Sequence, residues 1–215
     1  MKTLIVGSGI RQVKMFDYPI TAIDISQEYL DKAKEYRPEN IYVKANVEDM
    51  PFENNTFDKV VFTHVLEHVD NPIKAVSEIY RVLIKGGSLC CDVPSKEMEV
   101  FLCKHNDVFC RDICHGFHKT QWDKKDLFKI LNKFYVLEIK ENNGSNILFW
   151  YLWGNFIKIF KAEDDFYIEE CGQIHCVKYD RLARQLSRCF WVIDKLFSRL
   201  IFKNIAYEYK SVAVK

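Results

Sequence analysis

The order of apolar runs and helical patterns predicts an α/β fold: a mostly parallel sheet covered by helices on both faces. Three observations carry that expectation. Strand-like and helix-like segments alternate through the first two-thirds of the chain. A short apolar run, Leu4 to Val6, breaks into Gly7-Ser8-Gly9 before a helical pattern begins. The next apolar run ends on an acid, Asp24. Parallel neighbours need a long crossover, usually a helix, so this alternation reads as βαβ units.

Each element has its own signal. Residues 3–6 read as a strand, and a short helix follows from Ile10 to Tyr18, closed by Pro19. Residues 21–25 (TAIDI) form a second strand. Ser26 stands at the N-cap position before QEYLDKAKEY, and Pro38 marks the exit. NIYVKA, residues 40–45, is a third strand. FDKVVFTHV, residues 57–65, is a fourth, its apolar run suited to burial on both faces. Asn71-Pro72 opens a helix with proline in its first turn. Its stripe is Ile73, Val76, Ile79, Tyr80 and Leu83, and Gly86-Gly87 are expected to end it. SLCCDVP, residues 88–94, is a fifth strand.

Beyond it the pattern changes. Val100 to Thr120 is rich in Cys and His and weakly periodic. Thr120 is placed to cap a helix whose buried stripe is Leu127, Ile130, Leu131 and Phe134. YVLEIKE, residues 135–141, is a strand. An aromatic segment, an acidic turn at residues 163–165 and a long helix from about Tyr179 to Phe202 follow, and AYEYKSVAVK is a final strand.

Composition narrows the function classes. A chain of 215 residues, 48% hydrophobic and 14% aromatic, buries a full core and is not disordered. A net charge of +1 exerts no global pull on nucleic acid. The apolar start is too short for an export signal. The longest apolar stretch, Ile147 to Phe160, falls short of the roughly 18 residues of a membrane span and carries Lys158. The eight cysteines sit in ordinary strand and helix patterns, and most of them read as buried small hydrophobes with free thiols in a cytoplasmic protein.

The chemistry starts at Gly7 and Gly9. Glycine between a strand and a helix lets a ligand approach the backbone, and the helix start offers N–H donors. In a parallel sheet Asp24 comes beside that turn, where its carboxylate accepts hydrogen bonds from ribose hydroxyls. Gln12 occupies the place of the third glycine of a dinucleotide fingerprint, so that pattern is absent.

Residues 45–89 add NVEDMPF, FDKVV, LEHV and RVLIKGG in that order. In this combination the chain resembles the class I S-adenosylmethionine-dependent methyltransferases, over roughly residues 2–140. The resemblance implies a Rossmann-like, seven-stranded sheet whose last strand is antiparallel. It implies S-adenosyl-L-methionine as methyl donor and S-adenosyl-L-homocysteine as product. The sequence has no repeat and no linker, so a single domain is expected over 1–215, with a cofactor-binding core at 1–140 and a helical, aromatic insertion or acceptor-side cap at 145–204. By the same resemblance Gly7 and Gly9 line the amino acid and ribose portion, and Asp24 binds the ribose hydroxyls with Ile25 beside it. Asn46 lies near the adenine amino group, the Val47 backbone meets a ring nitrogen, and His64 lies near the sulfonium end.

The chain departs from the family pattern in three places. Ile5 stands where an acid is frequent, Arg11 where another glycine is frequent, and the segment between Gly9 and Asp24 is about one helical turn short. These departures keep open a catalytically silent, nucleoside-binding interaction module.

Methyl transfer asks chiefly for alignment. A hydroxyl acceptor also needs a base, and histidine is suited to it near neutral pH. The candidates are His118 and His115, with His64 further back, ahead of His68, which is placed on a helix. Asp92 is placed to orient such a histidine or to bind the acceptor. Cys103, His105, Cys110, Cys114, His115 and His118 lack the paired spacing of a structural zinc site, and no metal is expected. Arg181, Arg184, Arg188, Lys195 and Arg199 decorate the long helix. That face suits an anionic substrate, peripheral contact with a membrane, or solvent. Trp150, Tyr151 and Trp153 suit a wall for a sugar ring or a place in the core. The resulting expectation is O-methylation of a small-molecule, glycan or lipid-linked hydroxyl. The alternatives are N- or C-methylation of a small metabolite, or the silent module.

Overall fold

A computed structural model describes residues 1–8, 12–105, 118–143, 166–168, 174–176 and 206–215. It divides into two compact units. The first comprises Met1–Val93, Lys124–Lys140 and Lys210–Lys215, the second Pro94–Asp123 and Glu141–Tyr209.

The first unit is built on a seven-stranded sheet in the order β3-β2-β1-β4-β5-β9-β6. Its strands are β1 (Thr3–Val6), β2 (Thr21–Asp24), β3 (Ile41–Lys44), β4 (Phe57–Thr63), β5 (Leu83–Pro94), β6 (Tyr135–Asn143) and β9 (Ala206–Val214). The helices α1 (Gln27–Tyr36), α2 (Pro72–Val82) and α4 (Lys124–Ile130) also belong to it. All four residues of β1 are buried, because parallel partners flank it and both sheet faces are covered. Ile5, Val13, Ile20, Ala22 and Ala33 pack into one cluster with Phe16, Tyr42 and Val61. The final strand runs opposite to β5. Lys215 exchanges backbone hydrogen bonds with Gly86 and Gly87, while Ser211 Oγ donates to the Cys91 carbonyl at 2.8 Å. The mostly parallel, Rossmann-like sheet with its antiparallel last strand is therefore present.

The second unit contains α3 (Lys96–His105) and an antiparallel pair, β7 (Phe166–Ile168) and β8 (Ile174–Cys176). Gly9, His115, the aromatic segment at 147–160 and the long helix expected at 179–202 lie outside the described residues. No helix among the described residues is long and apolar enough to cross a membrane.

The caps fall where expected. Ser26 Oγ accepts from Tyr29 N–H, and Asn71 Oδ1 accepts from Lys74 N–H at 3.0 Å, with Pro72 opening α2. Four local expectations fail. Gly86-Gly87 do not end α2. The helix stops at Val82, and Leu83 turns straight into β5 at ψ 140°. The glycines lie inside that strand, where Lys215 pairs with them and the register against β4 slips between Phe57 and Lys59. That pairing partner lies at the far end of the chain, out of reach of local pattern. Ile73 is 72% exposed, so the buried face of α2 is Ala75, Val76, Ile79 and Val82. His68 sits in a turn rather than on a helix. Thr120 caps no helix, because α4 begins at Lys124 and Trp122 is engaged in a bridge with Ser95. Part of the weakly periodic Cys/His stretch is helical as well, as the end of α3.

One polar cluster holds the loop between β3 and β4. Arg81, near the end of α2, donates to both carboxylate oxygens of Glu78 at 2.7 Å. It also donates to the carbonyls of Phe52 and Met50 and to Asn54 Oδ1. Glu78 in turn accepts from Met50 N–H at 3.0 Å. The Arg81 hydrogen bonds hold the Glu78 carboxyl below its ordinary value, against the opposing effect of burial. Replacing Arg81 with alanine removes these charge-assisted bonds and should cost roughly 1.5–3 kcal/mol, read as a lower urea midpoint. Because the folded-state value of Glu78 is depressed, its contribution is full above the ordinary 4.5 and lost as pH falls through the lower folded value. The urea midpoints of wild type and Glu78→Gln should therefore converge on acidification. A constant gap would refute this account.

Candidate functional site

The site is assembled at the carboxyl ends of β1, β2, β4 and β5, the edge where parallel α/β sheets bind ligands. The register places these ends level: Val6 lies beside Ile23 and Phe62, and Thr63 beside Asp92.

Gly7 leaves β1 at φ +65°, and a Cβ there would overlap the Val65 side chain. Glycine is required on both grounds. Gly7 and Ser8 N–H both donate to the Ile23 carbonyl, at 2.9 and 3.2 Å, which ties the bend to the strand that carries Asp24. Ser8 is fully buried and its hydroxyl has no hydrogen-bond partner among the described residues. Gln12 Nε2 donates to the Thr63 carbonyl at 2.9 Å, anchoring the chain just past the bend to the end of β4.

Asp24 ends β2 half-buried. One of its oxygens accepts from Ser26 N–H at 3.0 Å, which fixes the side chain at the strand end. Ile25 next to it is 70% exposed and offers an apolar surface. Asn46 is exposed past β3, and its Oδ1 accepts from Glu48 N–H at 2.9 Å. Val47 is buried, so its side chain belongs to the core. Glu48 Oε1 accepts from the N–H groups of Asp70 and Asn71 at 2.9 and 3.0 Å. The loop carrying Asn46 and Val47 is thereby held by Glu48 on one side and by Arg81 with Glu78 on the other.

His64 leaves β4 at φ +53° and donates its N–H to the Asp92 carbonyl at 2.9 Å. Its Nδ1 lies 3.5 Å from Oε1 of Glu67, a carboxylate that is almost wholly buried. His68 Nε2 approaches the same oxygen at 3.9 Å. Behind them, burial pushes the Cys91 thiol well above its ordinary value, so it stays protonated.

His118 belongs to the second unit, where its Nδ1 lies 2.5 Å from Oε1 of Glu99. Glu99 was missed by sequence reasoning, as were Glu48, Glu78 and Arg81. Each makes its contact with a residue at least two positions and as many as 31 away, and several contacts are to backbone atoms, which carry no residue-type signal. The one local clue to Glu99 is Ser95, which caps α3 four residues earlier: Ser95 Oγ accepts from Met98 N–H at 3.1 Å.

The described residues thus bring a glycine bend packed against Val65 and a carboxylate one strand away to the carboxyl edge of an α/β sheet. Residues 6–91 match a family model described as a methyltransferase domain. That stretch holds the glycine bend, Asp24 and the end of β4, and S-adenosylmethionine is the methyl donor that a methyltransferase domain implies. The chain is similar to an uncharacterized methyltransferase of Schizosaccharomyces pombe, 36% identical over 83 residues, covering 34% of this chain and 30% of that protein. It is similar also to a ubiquinone/menaquinone biosynthesis C-methyltransferase of Haemophilus ducreyi, 50% identical over 48 residues, covering 22% and 18% of the two chains. The matched regions thus span less than a third of either relative. Among solved structures, a SAM-dependent methyltransferase of Methanosarcina mazei superposes with a TM-score of 0.58 at 14% identity, covering all of this chain and 92% of the other. At that identity the likeness concerns the fold.

The residues present fit an adenosine group: an orphaned buried hydroxyl beside the bend, a fixed carboxylate and an exposed aliphatic surface. Asp24→Ala should weaken S-adenosylhomocysteine binding by roughly 1.5–3 kcal/mol in calorimetric titration. Unchanged affinity would remove the carboxylate from the site. Gly7→Ala should weaken binding too and lower the melting temperature, because alanine at this φ also meets Val65. A variant with wild-type stability and affinity would contradict the close approach.

Proposed function

We propose that this chain is an S-adenosylmethionine-dependent methyltransferase acting on a hydroxyl of a sugar, glycan or other small-molecule acceptor. The single observation that carries the donor assignment is the junction of Gly7 with Asp24 across the Ile23 carbonyl. When bound, S-adenosylmethionine supplies a methyl group already activated on a sulfonium, so the chain's own task is positioning. Asp24 accepts hydrogen bonds from the ribose hydroxyls. Ile25 covers one face of the base, and Asn46 with the Val47 backbone meets its edge. His64 would lie near the sulfonium end. The hydroxyl assignment is supported by His118, a histidine already provided with a carboxylate partner. Asp92 and His115 remain candidates for holding the acceptor.

The similarity to a quinone-pathway C-methyltransferase supports a second reading, methylation of a ring carbon. The two leave different products. The full chain is incubated with a 13C-methyl donor and separate pools of sugars, phenols and quinols, and the product methyl is located by NMR. An oxygen-bound methyl is expected, and a carbon-bound one supports the second reading. Absence of S-adenosylhomocysteine binding by folded protein would leave the silent module instead. His118→Asn should depress turnover by about 10²-fold or more with little change in cofactor affinity.

A further inference from the structure

β6 is the last strand in the order of the sheet, beside β9, and no further strand pairs with it among the described residues. An edge strand presents a row of backbone donors and acceptors to any chain that lies alongside. Successive side chains alternate between the two faces, so Tyr135, Leu137 and Ile139 share one face, and Val136, Glu138 and Lys140 the other. On the first face Tyr135 is 75% exposed and Leu137 58%. Large apolar side chains so exposed along an unpaired edge call for cover. On the second face Glu138 and Lys140 are both exposed, and Lys140 Nζ lies 2.9 Å from Glu138 Oε2. An ion pair this open to water holds its members weakly, so either can turn to a better partner.

We infer that this edge pairs antiparallel with the same edge of a second copy of the chain, joining two seven-stranded sheets into one. A two-fold axis normal to the sheet keeps each face on its own side, so the residue at the axis stands opposite itself. Charge selects which residue that is. An axis at Glu138 sets two carboxylates opposite each other, and one at Lys140 sets two ammonium groups, and both arrangements are destabilising. An axis at Leu137 sets Glu138 opposite Val136 and Lys140 opposite Phe134, which leaves both charges unmatched. An axis at Ile139 sets Glu138 opposite Lys140 of the second copy and, by symmetry, Lys140 opposite its Glu138. Ile139 then meets Ile139 at the centre, with Leu137 and Glu141 opposite each other further out. Of these four registers this one alone pairs opposite charges, and it does so twice. The acid and base two positions apart are therefore a self-complementary code for one register. The inference stands apart from the methyl-transfer reading, and its test needs no cofactor.

Sedimentation equilibrium of the full wild-type chain in the micromolar range should give twice the mass of one chain, and a monomer throughout that range would overturn the inference. Glu138→Lys and Lys140→Glu should each weaken dimerisation about 10-fold or more, because each turns two opposite-charge pairs into like-charge pairs. The double variant Glu138→Lys/Lys140→Glu should dimerise as wild type does, and so should an equimolar mixture of the two single variants. Both side chains are exposed, so the variants should keep the wild-type circular dichroism spectrum. Dimerisation indifferent to the single reversals, or not recovered by the double variant, would overturn the inference. Hydrogen exchange of the wild-type chain locates the contact independently of any substitution. The β6 amides should exchange more slowly at high than at low protein concentration. Equal exchange in a dimer would place its interface elsewhere and overturn the pairing.

Discussion

Everything at the candidate site depends on the hydrogen-bonded register of β1 between β2 and β4. Thr3–Val6 is only four residues long, yet it is paired on both edges and buried on both faces. In parallel pairing the strands end on the same side. The short length of β1 therefore sets the height at which Gly7, Asp24, His64 and Asp92 emerge. A slip of one residue would turn the Asp24 side chain to the other face of the sheet and part the bend from its acid. The hydrogen bonds from Gly7 and Ser8 to Ile23 lock that alignment just where the chain leaves the sheet.

The loop from β3 to β4 is held differently. It belongs to no named strand, and half-buried charge holds it. Arg81 spreads its guanidinium over Glu78, Met50, Phe52 and Asn54, while Glu48 reaches the backbone that opens α2. This explains why NVEDMPF and RVLIKGG occur together: one is the loop and the other supplies the arginine that ties it down. Asn46 and Val47 reach their positions because a helix on another part of the chain grips the residues that follow them.

The second unit holds another of the candidate side chains. Its described residues place a histidine on a carboxylate withdrawn from solvent, fastened by a helix cap and one short bridge.

Much of this was legible from residue order. Alternation of apolar runs, Ser26 and Asn71 at helix starts, the glycine bend and the acid one strand on are local features. They follow from periodicity, capping and backbone freedom, so the α/β class could be read before any coordinates. What lay beyond reach were contacts between distant residues. Leu83 leaves α2 for β5 because Lys215 pairs with Gly86 and Gly87. Arg81 finds its partners across about 30 positions. Glu99 meets His118 only because Trp122 is bridged to Ser95. Local chemistry determined which elements form and which side chains end them. Tertiary structure alone decided which of those side chains meet, because a hydrogen bond selects its partner by position in space and leaves no periodic trace along the chain.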